Sequence, residues 1–144
     1  MSTSLLRLSA ISSMAALFAL SGCTSLPPAC PASADVQPEQ LHGVWTVQLG
    51  TAGPSWSLQL GPHPEHRGSL RGKLTQGGQR YPVVADLEKG EFTLEESHDG
   101  RRIAATWLGE MQMKNCEWTI TGERRLADTT RHPQAFVIRS DGLR

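Results

Sequence analysis

The chain has 144 residues with 14 basic and 14 acidic side chains, so its formal net charge is zero. This length fits one domain, and a neutral chain without a basic stripe argues against a nucleic-acid-binding protein. With 19% charged and 38% hydrophobic residues, the composition is typical of a globular protein rather than a disordered one. The three cysteines are an odd number, which requires an explanation for one of them.

The first element in the chain is an N-terminal export segment. Arg7 supplies a positive charge, and residues 10–20 form an apolar stretch that is too short and too polar to span a bilayer comfortably. The segment ends in Leu20-Ser21-Gly22-Cys23, which resembles the lipobox of bacterial lipoproteins. The resemblance implies a signal peptide over residues 1–22 and cleavage before Cys23. It also implies a diacylglycerol on the Cys23 sulfur and an acyl chain, such as palmitate, on the new amino group.

The residues after Cys23 bear on localisation. Thr24 and Ser25 follow, so the Asp that retains lipoproteins in the inner membrane of enteric bacteria is absent at this position. The resemblance therefore implies an anchor in the outer membrane, on its periplasmic side, where several acyl chains together hold a protein stably. The membrane is the first expected partner, and no cofactor is expected besides this covalent lipid.

The lipid on Cys23 would leave Cys30 and Cys116 as an even pair. Because the periplasm is oxidising, such a pair is typical of a disulfide bond. Two free thiols and an intermolecular bridge remain alternatives. A metal site at these cysteines is disfavoured, because neither has another Cys or a His at ligand spacing.

Residues 23–40 are predicted to form a lipidated tether. They are rich in proline and small residues without a periodic apolar pattern, which is typical of an extended, semi-rigid segment. Pro38 could open a single helical turn over residues 38–41. A disulfide at Cys30 would shorten the free tether to a few residues and hold the domain close to the membrane.

Residues 41–144 are predicted to form a β-domain, because apolar side chains alternate with polar ones in short runs. The alternating apolar positions are Trp45, Val47, Leu49, Trp56, Leu58, Leu60, Leu70, Leu74, Tyr81, Val83, Ala85, Leu87, Phe92, Leu94, Ile103, Ala105, Trp107, Cys116, Trp118, Ile120, Phe136 and Ile138. The runs end at residues 50–54, 61–68, 77–78, 89–90, 99–100, 114–115 and 127–133. Gly77-Gly78 and Asp99-Gly100 are hairpin dipeptides.

This pattern predicts an all-β fold of about eight strands. Successive hairpins favour an antiparallel meander, and closing it into an up-and-down barrel removes its exposed edges. A flattened β-sandwich is the alternative architecture.

Gly43 and Trp45 form a Gly-x-Trp motif at the start of the first predicted strand. The motif resembles the first strand of lipocalin-like barrels. That resemblance implies that Trp45 packs across one end of the barrel under an arginine from the last strand, for which Arg139 is the candidate. The Leu41-x-Gly43-x-Trp45 opening also resembles small periplasmic barrels that inhibit secreted metalloproteases. The whole pattern is similar to uncharacterised proteobacterial lipoproteins with a β-barrel body.

His63, Glu65 and His66 are weak candidates for a metal site, and His42, His98 and His132 could add a ligand only if folding brings them close. Two imidazoles and a carboxylate can bind Zn²⁺ or Cu²⁺. Because Pro62 and Pro64 make the segment irregular, a polar hairpin loop is the favoured interpretation, and no metal is expected.

The sequence contains no arrangement typical of a catalytic site, so no catalytic residue is assigned and no enzyme is expected. Glu91, Glu95 and Glu96 resemble the paired carboxylates of glycoside chemistry, but a solvated strand face is favoured. The pairs Arg101-Arg102 and Arg124-Arg125 could face anionic lipid, but ordinary surface charge is favoured.

These observations predict a non-catalytic binding or envelope-maintenance module, anchored on the periplasmic side of the outer membrane. One alternative is an inhibitor of an envelope or secreted hydrolase, acting through the loop of residues 61–68. The other is a carrier of a small apolar ligand inside the barrel. The expected partner is therefore an envelope protein or a hydrolase.

Overall fold

The computed structural model describes residues 30–114, 116–128 and 130–140. Eight antiparallel strands form one closed barrel in chain order, and β8 pairs back onto β1. The elements are the 3₁₀ helices η1 (Ser33–Asp35) and η2 (Pro38–Leu41) and the strands β1 (Gly43–Leu49), β2 (Ser55–Pro62), β3 (Leu70–Gln76), β4 (Gln79–Glu88), β5 (Glu91–Ser97), β6 (Ile103–Lys114), β7 (Glu117–Leu126) and β8 (Gln134–Ser140). The predicted eight-stranded up-and-down barrel is confirmed, and the flattened sandwich is not the architecture.

Because neighbouring strands run in opposite directions, the connections divide between two ends of the barrel. We call the end where β1 begins the capped end, since η1 and η2 lie beside it. It also carries loop 63–69 and the turns after β4 and β6. The distal end carries the connections 50–54, 77–78, 98–102 and 127–133.

The interior is built from the side chains that the period-two pattern placed on one face. Every strand contributes inward-facing residues that are almost completely buried, as in the row Leu70, Ala85, Leu94 and Trp107, which pairs across β3 to β6. Two inward-facing glycines, Gly109 and Gly122, lie opposite each other on β6 and β7. A Cβ at Gly109 would lie 2.8 Å from the ring of Phe136, so this glycine leaves room for an aromatic side chain.

Two residues that were predicted as inward-facing strand positions, Ile103 and Cys116, lie elsewhere. Ile103 is 46% exposed, because β6 has an extra residue opposite the step from Glu96 to Ser97 and this bulge turns Ile103 outward. Cys116 lies in the turn before β7 rather than on the strand, and its φ of 61° is a left-handed conformation.

The described part of the predicted tether is folded rather than extended. The single turn expected at residues 38–41 is confirmed as η2, and its Leu41 is completely buried. Val36, between the two 3₁₀ helices, is also buried. The indole Nε1 of Trp45 donates a hydrogen bond to the carbonyl oxygen of Leu41 at 2.9 Å, which ties η2 to the first strand.

A disulfide joins Cys30 to Cys116, with the two Cα atoms 5.3 Å apart. It connects the start of the described N-terminal segment to the turn between β6 and β7. The predicted pairing is therefore confirmed, and the segment is attached at the capped end. None of the helices in the described ranges is long and apolar enough to cross a membrane. Cys23 and the predicted signal segment lie outside the described residues.

Candidate functional site

The Gly-x-Trp motif occupies the predicted position at the capped end, but its arginine partner is wrong. Gly43 has a φ of 133°, a conformation that favours glycine, and Trp45 is buried at the start of β1. Arg139 pairs with Thr46, the residue after Trp45, and is exposed on the outer face. Since successive residues of a strand point to opposite faces, Arg139 cannot stack on Trp45.

A different arginine makes the aromatic contact, at the distal end. The guanidinium carbon of Arg124 lies 5.5 Å from the ring centroid of Trp56 and 5.4 Å from that of Trp107. Both distances fit cation–π contacts. The two indole rings are 6.1 Å apart in an edge-to-face arrangement. This arginine was interpreted as surface charge, and the structure overturns that interpretation.

Arg124 also forms a buried ion pair with Glu96. Its Nε and Nη2 each donate to one carboxylate oxygen of Glu96 at 3.0 Å, while the two side chains are only 7% and 1% exposed. Its Nη1 donates to Oε1 of Gln134 at 3.2 Å. Glu96 was assigned to a solvated strand face, and that interpretation is also wrong.

Two further side chains form hydrogen bonds with the Glu96 carboxylate. Trp107 donates through Nε1 to Oε2 at 3.0 Å, and His98 Nε2 lies 2.8 Å from Oε1. His98 is half exposed and its ring lies against Tyr81, with the centroids 4.6 Å apart. Among the described residues, no buried side-chain nitrogen or oxygen lacks a hydrogen-bond partner.

The ionised form of Glu96 is the stable form. Burial by itself would raise the pKa of Glu96, but hydrogen bonds from Arg124, His98 and Trp107 and the charge of Arg124 together lower it. The carboxylate is therefore a fixed structural charge rather than a proton donor near neutral pH. We call Glu96, Arg124, Trp56, Trp107 and His98 the distal plug, because they fill the distal end of the interior.

The predicted metal candidates lie in loop 63–69 at the capped end. Nδ1 of His63 accepts hydrogen bonds from the backbone amides of Glu65 and His66 at 3.2 and 3.1 Å, and the two imidazole rings lie tilted against each other with centroids 4.5 Å apart. One ring nitrogen of His63 thus holds the loop. In the described ranges, no group of three or more His, Cys, Asp or Glu side chains is placed to hold a metal ion.

Loop 98–102 at the distal end is fixed in a similar way by Asp99. Its Oδ1 accepts hydrogen bonds from the backbone amides of Arg101 and Arg102 at 2.9 Å, and Oδ2 accepts one from Arg102 Nε at 3.1 Å. The amide of Arg102, followed by that of Arg101, holds the pKa of Asp99 well below its usual value. The loop therefore presents the Arg101 side chain from a fixed backbone.

An open groove of about 310 Å³ lies on the outer wall of β3, β4 and β5, between these two loops. We call it the side groove. Arg71, Val84 and Glu95 face outward in one row across the three strands and form its floor. His63 and His66 line one side, and Arg101 and Ile103 line the other.

The side groove brings together residues that sequence reasoning had treated separately. The two histidines are the predicted metal candidates. Glu95 is one of the three carboxylates compared with glycoside chemistry, and Arg101 belongs to a pair interpreted as surface charge. Only the pairing of β3, β4 and β5 makes them neighbours. Glu96 and Arg124 could have been found from the sequence, because each is in phase with buried residues, Leu94 and Ile120 respectively.

The chain matches no known protein-family model. It also matches no curated protein sequence.

Proposed function

We propose that this chain is a non-catalytic binding module, held by a lipid on Cys23 at the periplasmic face of the outer membrane. The Cys30–Cys116 disulfide is the observation that carries the proposal. Cys30 lies seven residues after Cys23 in the sequence, and a chain of that length spans at most about 25 Å. A lipid on Cys23 would thus hold the capped end near the membrane.

This arrangement leaves the distal end and the side wall available to a partner. The distal plug closes one end of the interior, and η2 with Trp45 lies at the other. Rigid walls with a filled interior suit a protein that presents a fixed outer surface. The inner face is occupied by large side chains such as Trp107, Phe92 and Phe136, which gives the ligand-carrier alternative no support.

Replacing Cys23 by Ser tests the anchor. We expect the unchanged protein in the membrane fraction and the Cys23→Ser protein in the soluble periplasmic fraction, because a thioether-linked lipid cannot form on a hydroxyl side chain. The measurement is cell fractionation followed by immunoblotting. A Ser25→Ala variant is the matched control and should remain with the membranes. Equal membrane association of all three proteins would refute the proposed anchor.

Inhibition of an envelope or secreted hydrolase is the second candidate function. It is favoured by the internal fixation of loop 63–69, because a loop that blocks an active site must resist rearrangement. The backbone amide of His63 also donates to the Ser69 carbonyl at 3.0 Å across the base of this loop. We expect excess protein to slow a hydrolase from a panel of secreted metalloproteases and lysozymes. A His63→Ala variant should inhibit less, while His132→Ala, an exposed change in the distal connection, should not differ. Unchanged rates across the panel would count against inhibition.

A further inference from the structure

One side of the outer surface of the barrel is rich in acidic residues. Glu88, Glu91 and Glu110 lie directly opposite one another in one row across β4, β5 and β6, and all three are exposed. None of them forms an ion pair with a residue in the described part of the chain. Like charges at directly opposite positions destabilise a sheet, so the stability of the barrel does not account for this row.

The next row of outward-facing residues is also acidic. It contains Asp86 on β4 and Glu123 on β7, with Leu108 between them. Leu108 is 48% exposed and provides an apolar centre. We call these two rows the acidic wall. The basic residues beside it are Arg125, which pairs with Glu123, and Lys89 in the turn after β4, so five acidic and two basic residues give it a formal charge of −3.

The opposite side of the barrel carries only positive charge. The strands β8, β1, β2 and β3 contain three basic residues and no acidic one, whereas β4 to β7 contain eight acidic and four basic residues. The three basic residues are Arg71, Lys73 and Arg139, and all are exposed without an ion pair to a described residue. We call the outer face of these four strands the basic wall.

We infer that the acidic wall binds the basic wall of a second copy of this chain, so that barrels associate side by side. The two walls lie on opposite sides of one closed barrel and cannot meet within one copy. Complementary charges select this contact, because two acidic or two basic walls repel each other. A foreign basic partner would use the acidic wall alone, whereas a second copy accounts for both walls. Each copy offers one wall to each neighbour, so the contact forms rows rather than closed pairs.

This inference rests on the proposed function, because a shared membrane anchor would orient neighbouring copies alike. Both walls carry charge near the capped end. There β4 ends at Glu88 and β5 begins at Glu91, while Arg71 is the second residue of β3 and Arg139 the penultimate residue of β8. Copies with their capped ends on one membrane would therefore present opposite charges at similar heights.

The size of the walls predicts a weak contact. Four strands about 4.8 Å apart, each about seven residues long, form a face of roughly 14 by 23 Å. This is less than the area of about 800 Å² that each partner buries in a stable interface. Dilute copies should therefore be monomers, and association should need a high local concentration such as a membrane surface provides.

Carbodiimide crosslinking of the full chain measures this contact, because the reagent condenses a carboxylate and an amine that touch into an amide. Isotopically light and heavy copies are mixed at high concentration in non-ionic detergent, with fewer than one copy per micelle. Lys73 is the lysine of the basic wall. We expect light–heavy dimers that join Lys73 to Glu91 or Glu110. They should be lost at about 0.5 M NaCl, where the Debye length is about 4 Å.

Charge reversals beside the crosslinked residues test which walls meet. Arg71→Glu with Arg139→Glu, and Glu88→Arg with Glu123→Arg, should each lower the yield of this dimer about fivefold or more. Mixing the two double variants should restore the dimer, because one keeps an intact basic wall and the other an intact acidic wall. The isotope labels should place the crosslinked lysine on the variant with the intact basic wall. All four residues are exposed, so both variants should unfold like the unchanged protein.

Glu39→Arg with Glu65→Arg is the matched control, since it makes the same change of charge at exposed residues of η2 and loop 63–69, outside both walls. Its dimer yield should stay within about twofold of that of the unchanged protein. Equal yields in all variants, dimers that persist in salt, or no recovery on mixing would overturn the inference. The assay in detergent needs no lipid on Cys23, so its failure would leave the proposed anchor intact.

Discussion

Glu96→Gln lowers the free energy of unfolding by about 3–5 kcal/mol at neutral pH, which is the expected cost of leaving one member of a buried ion pair without its partner. Glutamine keeps the size of the side chain, so the effect reports charge and hydrogen bonding rather than a cavity. Arg124 would keep its charge while only 7% exposed. Urea unfolding followed by tryptophan fluorescence measures the change.

Glu123→Gln is the matched control for this prediction. It makes the same substitution in another Glu–Arg pair of the barrel, where Arg125 Nη2 lies 2.9 Å from Glu123 Oε2. That pair is more than half exposed, so its loss should cost about 1 kcal/mol or less. Equal losses for the two variants would show that the distal plug does not stabilise the barrel as we describe.

The Glu96 effect should depend on pH in one direction. Because the folded state holds the pKa of Glu96 below its ordinary value of 4.5, the carboxylate contributes its full stabilisation above that value. The contribution is lost as the pH falls through the lowered pKa of the folded protein. The stability difference between the unchanged protein and Glu96→Gln should therefore shrink below pH 4.5.

Removal of the disulfide is the second large effect. We expect Cys30→Ser with Cys116→Ser to lower the free energy of unfolding by about 2–4 kcal/mol, since the bond closes a long loop in the unfolded chain. Its two cysteines are 86 positions apart. Reduction of the unchanged protein should reproduce this loss in urea unfolding, whereas reductant should leave the double variant unaffected. A double variant as stable as the oxidised protein would contradict the prediction.

Most of the fold follows from the sequence because a barrel strand needs only alternation and a turn. Phe92 and Leu94 predicted the inner face of β5, and Gly77-Gly78 predicted the turn before β4; both are confirmed. Ile103 was misplaced because a bulge depends on the register between two strands, which no single run of residues reveals.

The distal plug was not predicted, because the charges of Glu96 and Arg124 were given more weight than their inward positions in the alternating pattern. Glu96 continues the inward series of Phe92 and Leu94, yet a charged side chain is rarely buried unless it is paired. Its partner Arg124 is 28 positions away, and the two come together because β5 and β7 both pair with β6. The contact predicted between Arg139 and Trp45 is wrong for a reason that the alternation itself gives. Ile138 lies inside the barrel, and its neighbour Arg139 therefore lies outside.

The intact mass of the protein extracted from membranes, with alkylation before and after reduction, tests the central claim most directly because it accounts for all three cysteines. The account predicts an N terminus at Cys23 with the mass of a diacylglycerol and an acyl chain. It also predicts no alkylation before reduction, and two alkyl groups after it, on Cys30 and Cys116. A chain without acyl mass, or one alkylated before reduction, would contradict a lipid-anchored barrel with a Cys30–Cys116 disulfide.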